Sequence, residues 1–223
     1  MFEIFTAAFW NQYGNLLAEG TVDTLIMVVI STVFAYLLGL PMGVLLVLTG
    51  SHGIWPHKVL NRILGWIINI GRSLPFIILM IAIMDFTKLI VGTKIGVRGA
   101  IVPLVVSAAP FIARMVETSL SEVDSGVVEA AQSMGASIPQ IVWKVYLPEA
   151  KPSLVLGGAI SVITILAYTA IAGAVGAGGL GDLAIRYGYN RKVPSMMLIT
   201  VIFLIALVQI IQFVFNRVSS RID

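Results

Sequence analysis

The chain has 223 residues, 58% of them apolar with 21 glycines besides, and only 11% are charged. A soluble domain holds about 45–50% apolar residues with glycine included and about 25% charged ones, so a water-facing globule is excluded; disorder is excluded too, because a chain rich in Leu, Ile, Val and Phe does not stay solvated. What remains is an all-α polytopic membrane protein, without cysteine for a disulfide, thiolate metal site or nucleophile, and with a net charge of +3 scattered between apolar runs rather than gathered into a nucleic-acid-binding stripe.

A helix needs about 20 apolar residues to cross a hydrocarbon core about 30 Å thick, so the intervals between charges define the elements. The uncharged intervals 24–57, 152–181 and 193–216 predict spans over about 22–48, 152–176 and 194–216. Two more lie between the first and second of these. The segment over about 62–84 is apolar from Ile63 to Met84 except for Asn69, Arg72 and Ser73. An arginine there costs about 2.5–3.5 kcal/mol on insertion scales, which some fifteen apolar residues at a few tenths each outweigh. The segment 97–118 contains Pro103 and Pro110 and reads as a kinked span, since membrane helices tolerate proline where neighbours satisfy the freed carbonyls.

Five spans put the two tails on opposite faces. Residues 1–57 hold Glu3, Glu19 and Asp23 but no Lys or Arg, whereas the other tail carries Arg217 and Arg221. The positive-inside rule then places the N-terminus outside and the C-terminus in the cytoplasm. The first span is expected to stay uncleaved, because its flank is acidic and its apolar run exceeds a signal h-region.

Charge returns in a polar loop over about 119–150. It reads as two short helices. The first is capped by Asp124 or Ser125, carries Val127, Val128, Ala130, Ala131 and Met134, and stops at Gly135. The second starts at Ser137 with Pro139 in its first turn, spaces Ile138, Ile141, Val142, Val145 and Tyr146 along one face, and is closed by Pro148. That apolar face packs either on the protein's own span ends or into a groove on a cytoplasmic partner.

Glu129-Ala130-Ala131, then Gly135, then Val145, Leu147 and Pro148 match the EAA loop of ABC importer permeases, with Val145 at a position where isoleucine is usual. Arg72-Ser73-Leu74-Pro75-Phe76, Pro110 to Glu117 and Gly173 to Gly181 extend the likeness over about residues 38–190. Together they resemble the permease subunit of methionine ABC importers. The resemblance implies a type I importer fold of the inner membrane, with one permease domain of five spans over 1–223. It implies a homodimer working with two ATPase subunits, which hold ATP and Mg, and with an extracytoplasmic methionine-binding protein. Glu129, Ala130, Ala131, Met134, Gly135, Ile138, Val145, Leu147 and Pro148 would then form a coupling helix docking on the ATPase. A path between the two copies would draw on Arg72, Ser73, Pro75, Tyr168 and Thr169, with Ile171 at a position where a bulky apolar residue helps close it.

Competing readings are weaker. No G-x-x-x-x-G-K-[ST] occurs, so ATP must be handled by another chain. Gly176 to Gly181 satisfies G-x-G-x-x-G, but it ends an uncharged run instead of joining strand to helix, and close packing or a helix break explains it better. His52 and His57 lack the companions of a zinc site and read as solvated loop residues. With no histidine in any span and no acid–base cluster, catalytic residues are expected to be absent, and this chain is expected to hold no cofactor or metal. Ser161, Thr164, Tyr168 and Thr169 share one side of the fourth span; for Ser161 and Thr164, interhelical hydrogen bonding is the preferred role. Arg72 is either a structural anchor or a contact for a substrate carboxylate.

Overall fold

A computed structural model describes residue 4 and residues 6–221; Glu3, one of the acidic residues behind the orientation argument, lies outside them. The described residues form helices and no strand. In chain order these are α1 (Ala7–Thr49), α2 (Lys58–Ser73), α3 (Phe76–Ala82), α4 (Met84–Val91), α5 (Gly96–Ser121), α6 (Ser125–Ser133), α7 (Ile138–Ile141), α8 (Leu147–Glu149), α9 (Lys151–Gly173), α10 (Gly179–Leu183) and α11 (Pro194–Ser219). Helices α1, α5, α9 and α11 are each long and apolar enough to cross a membrane, and α2 with α3 makes a fifth, bent candidate.

The first helix begins fifteen residues before the expected 22, capped by Thr6, whose hydroxyl accepts from the Phe9 N–H at 3.4 Å. At 1.5 Å per residue its 43 residues run about 65 Å, roughly twice the hydrocarbon thickness. The added turns are held by packing: Phe9 and Leu17 bury against Leu180, Leu183, Met196 and Ile199.

The expected span 62–84 is not one helix. It breaks at Leu74–Pro75 with a bend of 102° between α2 and α3, and Met84 opens α4. Leu74 precedes a proline and takes extended angles (φ −85°, ψ 127°), because the proline ring disfavours α-geometry there. The α2 helix is held at its other end, where the Asn61 side chain donates to the Leu46 carbonyl at 2.8 Å and to Thr49 Oγ1 at 3.1 Å.

The longest interhelical contact is between α1 and α5. Gly39 and Gly43 sit one turn apart on α1 and let the backbones meet: a Cβ on Gly39 would come within 2.8 Å of the Ala109 carbonyl, and one on Gly43 within 2.5 Å of that of Ala113. This is small-residue packing, the means by which membrane helices gain contact where burial from lipid gives no hydrophobic drive.

Pro148 does not close the second loop helix. The chain winds through a π-turn, Val142–Tyr146, into α8 and reaches α9 with one intervening residue. A proline removes one N–H and crowds the carbonyl four residues back, and the wider turn relieves both. At the far end of α9, left-handed Gly176, Gly178 and Gly179 (φ 84°, 83° and 78°) reverse the chain into α10. The turn is pinned where the Leu180 N–H donates to Thr24 Oγ1 at 2.9 Å and the Gly96 N–H to the Gly176 carbonyl at 2.8 Å. Helices flank this glycine run on both sides, so the dinucleotide-binding context of strand, loop and helix is missing.

Candidate functional site

The polar loop divides its residues between two faces. Val128, Ala131, Ile141, Tyr146 and Ala150 are buried in one cluster with Val44 and Leu48 of α1 and Ile112, Val116 and Leu120 of α5. Burial raises the pKa of the Tyr146 phenol above its ordinary value. On the opposite side Met134 is 82% exposed and Trp143 71%, with Val127, Ile138, Glu129 and Ala130 also exposed. Of the two packing alternatives left open by the sequence, packing on the protein's own span ends is present, and a second stripe of the loop is left uncovered. The sequence pattern did not single out Trp143, which lies in the π-turn.

Local geometry fixes this display. Asp124 caps α6, its Oδ1 accepting from the Gly126 N–H at 2.6 Å. At the other end the Gly135 N–H donates to the Gln132 carbonyl at 2.9 Å and the Ala136 N–H to the Ala131 carbonyl at 3.1 Å, the paired bonds of a Schellman ending. That ending needs a left-handed residue, and Gly135 supplies it at φ 78° with nothing within 4 Å of where a Cβ would stand. Ser137 then starts α7, its N–H donating to Gln140 Oε1 at 2.8 Å. Val145 and Leu147 are half-buried and Pro148 is exposed.

Between this loop, the residues 50–54 and the end of α5 lies a groove of about 530 Å³ lined by His52, Glu117, Val128, Glu129, Gln132 and Tyr146 among others. His52 borders it, whereas His57 caps α2, its Nδ1 accepting from the Leu60 N–H at 3.1 Å; that cap was not read from the sequence. Arg114 bridges two helices, donating to Glu117 Oε2 at 2.5 Å and to Asn69 Oδ1 of α2 at 2.9 Å. Among the described residues no group of three or more His, Cys, Asp or Glu is placed to hold a metal ion.

The residues expected along a path are only partly brought together. Arg72 and Ser73 are exposed at the end of α2, and the Ser73 hydroxyl donates to the Asn69 carbonyl at 2.7 Å. Pro75 precedes α3, and Phe76, next in sequence, stacks face to face on Tyr168 of α9, the ring centroids 4.7 Å apart and the planes within 3°. Thr169 is buried, its hydroxyl bonded to the Leu166 carbonyl at 2.7 Å. Ile171 is 40% exposed. Of the two hydroxyls expected to bond between helices, Ser161 accepts from Tyr36 Oη of α1 at 3.5 Å, while Thr164 bonds its own helix through the Ile160 carbonyl at 2.7 Å. A short polar side chain in a span satisfies itself on the preceding turn when no neighbour lies within reach.

Comparison with known proteins places this architecture. Residues 36–223 match the family model described as "binding-protein-dependent transport system inner membrane component". A probable D-methionine transport system permease protein MetI of Vibrio cholerae is 51% identical over 219 residues, covering 98% of this chain and 97% of its own. The methionine import system permease protein MetP of Bacillus subtilis is 43% identical, covering 80% and 81%. Among solved structures, one of the inward-facing conformations of the MetNI methionine ABC transporter superposes with a TM-score of 0.94 at 46% identity, covering 95% of this chain and 98% of that one.

Proposed function

This chain belongs to the family of binding-protein-dependent transport system inner membrane components, and from that premise we propose that it is the permease subunit of an ABC importer for methionine. The observation that carries the substrate is the 51% identity, across nearly the whole of both chains, with a relative named for D-methionine transport. The likeness to a chain of the MetNI methionine ABC transporter supports pairing with ATPase subunits, and the family description supports supply by a binding protein; the assembly we propose has two copies of this permease, two ATPase subunits that hold ATP and Mg, and an extracytoplasmic binding protein. The chemistry of hydrolysis belongs to the ATPase; this subunit supplies the path and the mechanical link, with no catalytic residue, cofactor or metal of its own.

In this reading the uncovered face of the polar loop, with Glu129, Ala130, Met134, Gly135 and Ile138 and the newly recognised Trp143, is the part that enters the ATPase. Ala131, Val145, Leu147 and Pro148 tie that face to the spans. Because Val128, Ala131, Ile141 and Tyr146 share a cluster with α1 and α5, a displacement of the loop is carried into those helices by packing, since close-packed interiors transmit strain. The N-terminus lies outside and the C-terminus in the cytoplasm. Arg72, Ser73, Pro75, Tyr168, Thr169 and Ile171 belong to or border the path between the copies, with lipid around the rest.

Uptake of radiolabelled D- and L-methionine by the reconstituted complex, competed with leucine and glutamine, tests the assignment. Methionine uptake that unlabelled methionine suppresses and the others do not is the expected result. Competition by leucine or glutamine with none by methionine would reject methionine and leave a permease for another amino acid.

A further inference from the structure

The hydroxyls of α9 are mostly spent on their own helix. Ser161, Thr164 and Thr169 donate to the carbonyls of Gly157, Ile160 and Leu166 at 2.8, 2.7 and 2.7 Å. Tyr168 differs. Its ring is half-buried and stacked on Phe76, and among the described residues its hydroxyl has no hydrogen-bond partner. The tyrosine of α1, Tyr36, by contrast donates to Ser161. A phenol within a span is costly if it points into hydrocarbon, where nothing accepts its proton, and is tolerated where it meets water or a ligand. Tyr168 stands about 25 Å along α9 from Lys151, at the level where α3 meets that helix.

Phe76 explains how such a free hydroxyl is kept in one direction. It is 5% exposed and packs in a single cluster with Met27, Met80, Leu104 and Ala172, so its ring is held by three other helices. A fixed ring parallel to that of Tyr168 confines the phenol to one plane. We infer that Tyr168 is the donor that binds the carboxylate of the transported amino acid, and that Phe76 is the positioning residue that aims it. This rests on the importer reading above and adds to it the group that recognises the substrate within the path. The phenol O–H donates and the carboxylate accepts, a charge-assisted bond of the stronger kind.

The test is uptake by the complete reconstituted complex, measured over a range of concentrations of amino-acid-loaded binding protein. Tyr168→Phe keeps the stack and removes only the hydroxyl; it is expected to lower the maximal rate about tenfold, the scale of one charge-assisted bond. The half-saturating concentration, set by docking of the binding protein, is expected to stay within twofold. Phe76→Leu should reproduce the loss, and Phe76→Leu with Tyr168→Phe should be no slower than either alone. Wild-type rates in Tyr168→Phe, or single losses that multiply in the double variant, would overturn the inference. Failure of the wild-type complex to take up methionine would count instead against the substrate assignment. The same variants are then read with whichever amino acid is transported, since the carboxylate is common to all.

Discussion

Two glycines of this chain are constrained for opposite reasons, and the difference decides what their substitution does. At Gly43 the backbone angles are ordinary and the space is gone: a Cβ would lie 2.5 Å from the Ala113 carbonyl and 2.6 Å from Val116 Cβ. Gly43→Val is therefore expected to push α1 from α5 and destabilise the protein by about 1–3 kcal/mol, the usual cost of overpacking. Gly65, in α2, meets nothing within 4 Å, so Gly65→Ala should leave thermal unfolding in detergent unchanged or raise it, since alanine is the better helix former. At Gly135 the space is open and the angles are the constraint. Gly135→Val must hold a left-handed conformation at about 1–2 kcal/mol, whereas asparagine visits it readily. Gly135→Val should insert in the membrane yet lose most of the substrate-stimulated ATPase activity of the complex, and Gly135→Asn should keep most of it; equal activities would show that the Schellman ending does not matter for coupling. The close approach at Gly39 and Gly43 was not read from the sequence, because the contact joins positions 70 residues apart.

Among the elements, what was legible depended on whether the cause was local. The spans around α5, α9 and α11 follow from composition, as do Asp124 and Gly135 at the two ends of α6, because caps act within a few residues. The extension of α1 was not legible: residues 7–21 are mixed in polarity, and what orders them is contact with Leu180 and Met196, far along the chain. The second span was expected as one helix; it breaks at Leu74–Pro75 with a 102° bend, and Phe76 and Met80 beyond the break are seated in the core. The ion pair between Lys94 and Asp85 links α4 to the turn before α5. The hydrogen bond and the charge of Lys94 hold the Asp85 carboxyl below its ordinary value. A depressed carboxylate pKa contributes stability above the unfolded value, and that contribution is lost as pH falls through the folded one. Amide-exchange protection of residues 83–95 attributable to the pair should thus be constant from pH 7 to pH 5 and decline only below the ordinary carboxylate value of about 4. Because Asp85 is exposed, the effect should be small and salt-sensitive. Lys94→Met should abolish the pH-dependent part; an unchanged profile in that variant would exclude the pair as its source.

For the whole molecule, orientation decides whether the proposed parts can work together. The acidic first tail and Arg217 and Arg221 favour an exterior N-terminus, while Arg186, Arg191 and Lys192 fall on the side assigned to the exterior. The fold supplies a reason for two of those cations: Arg186 pairs with Asp182, and the guanidinium groups of Arg186 and Arg191 lie 5.4 and 4.5 Å from the Tyr187 ring centroid. Cations engaged in local contacts carry less of their charge to the membrane surface, so they weigh less against the rule than a bare count suggests. A direct test uses the absence of cysteine from the chain, which lets one introduced thiol report without background. Tyr189 is 74% exposed beside α10 and Met134 is 82% exposed on the polar loop. With the N-terminus outside, Tyr189→Cys should react with a membrane-impermeant maleimide added to intact spheroplasts, and Met134→Cys only after the membrane is permeabilised. The reverse pattern would put the uncovered face of the loop outside the cell, where no ATPase could reach it, and would sink coupling through Glu129 to Pro148 whatever the substrate proved to be.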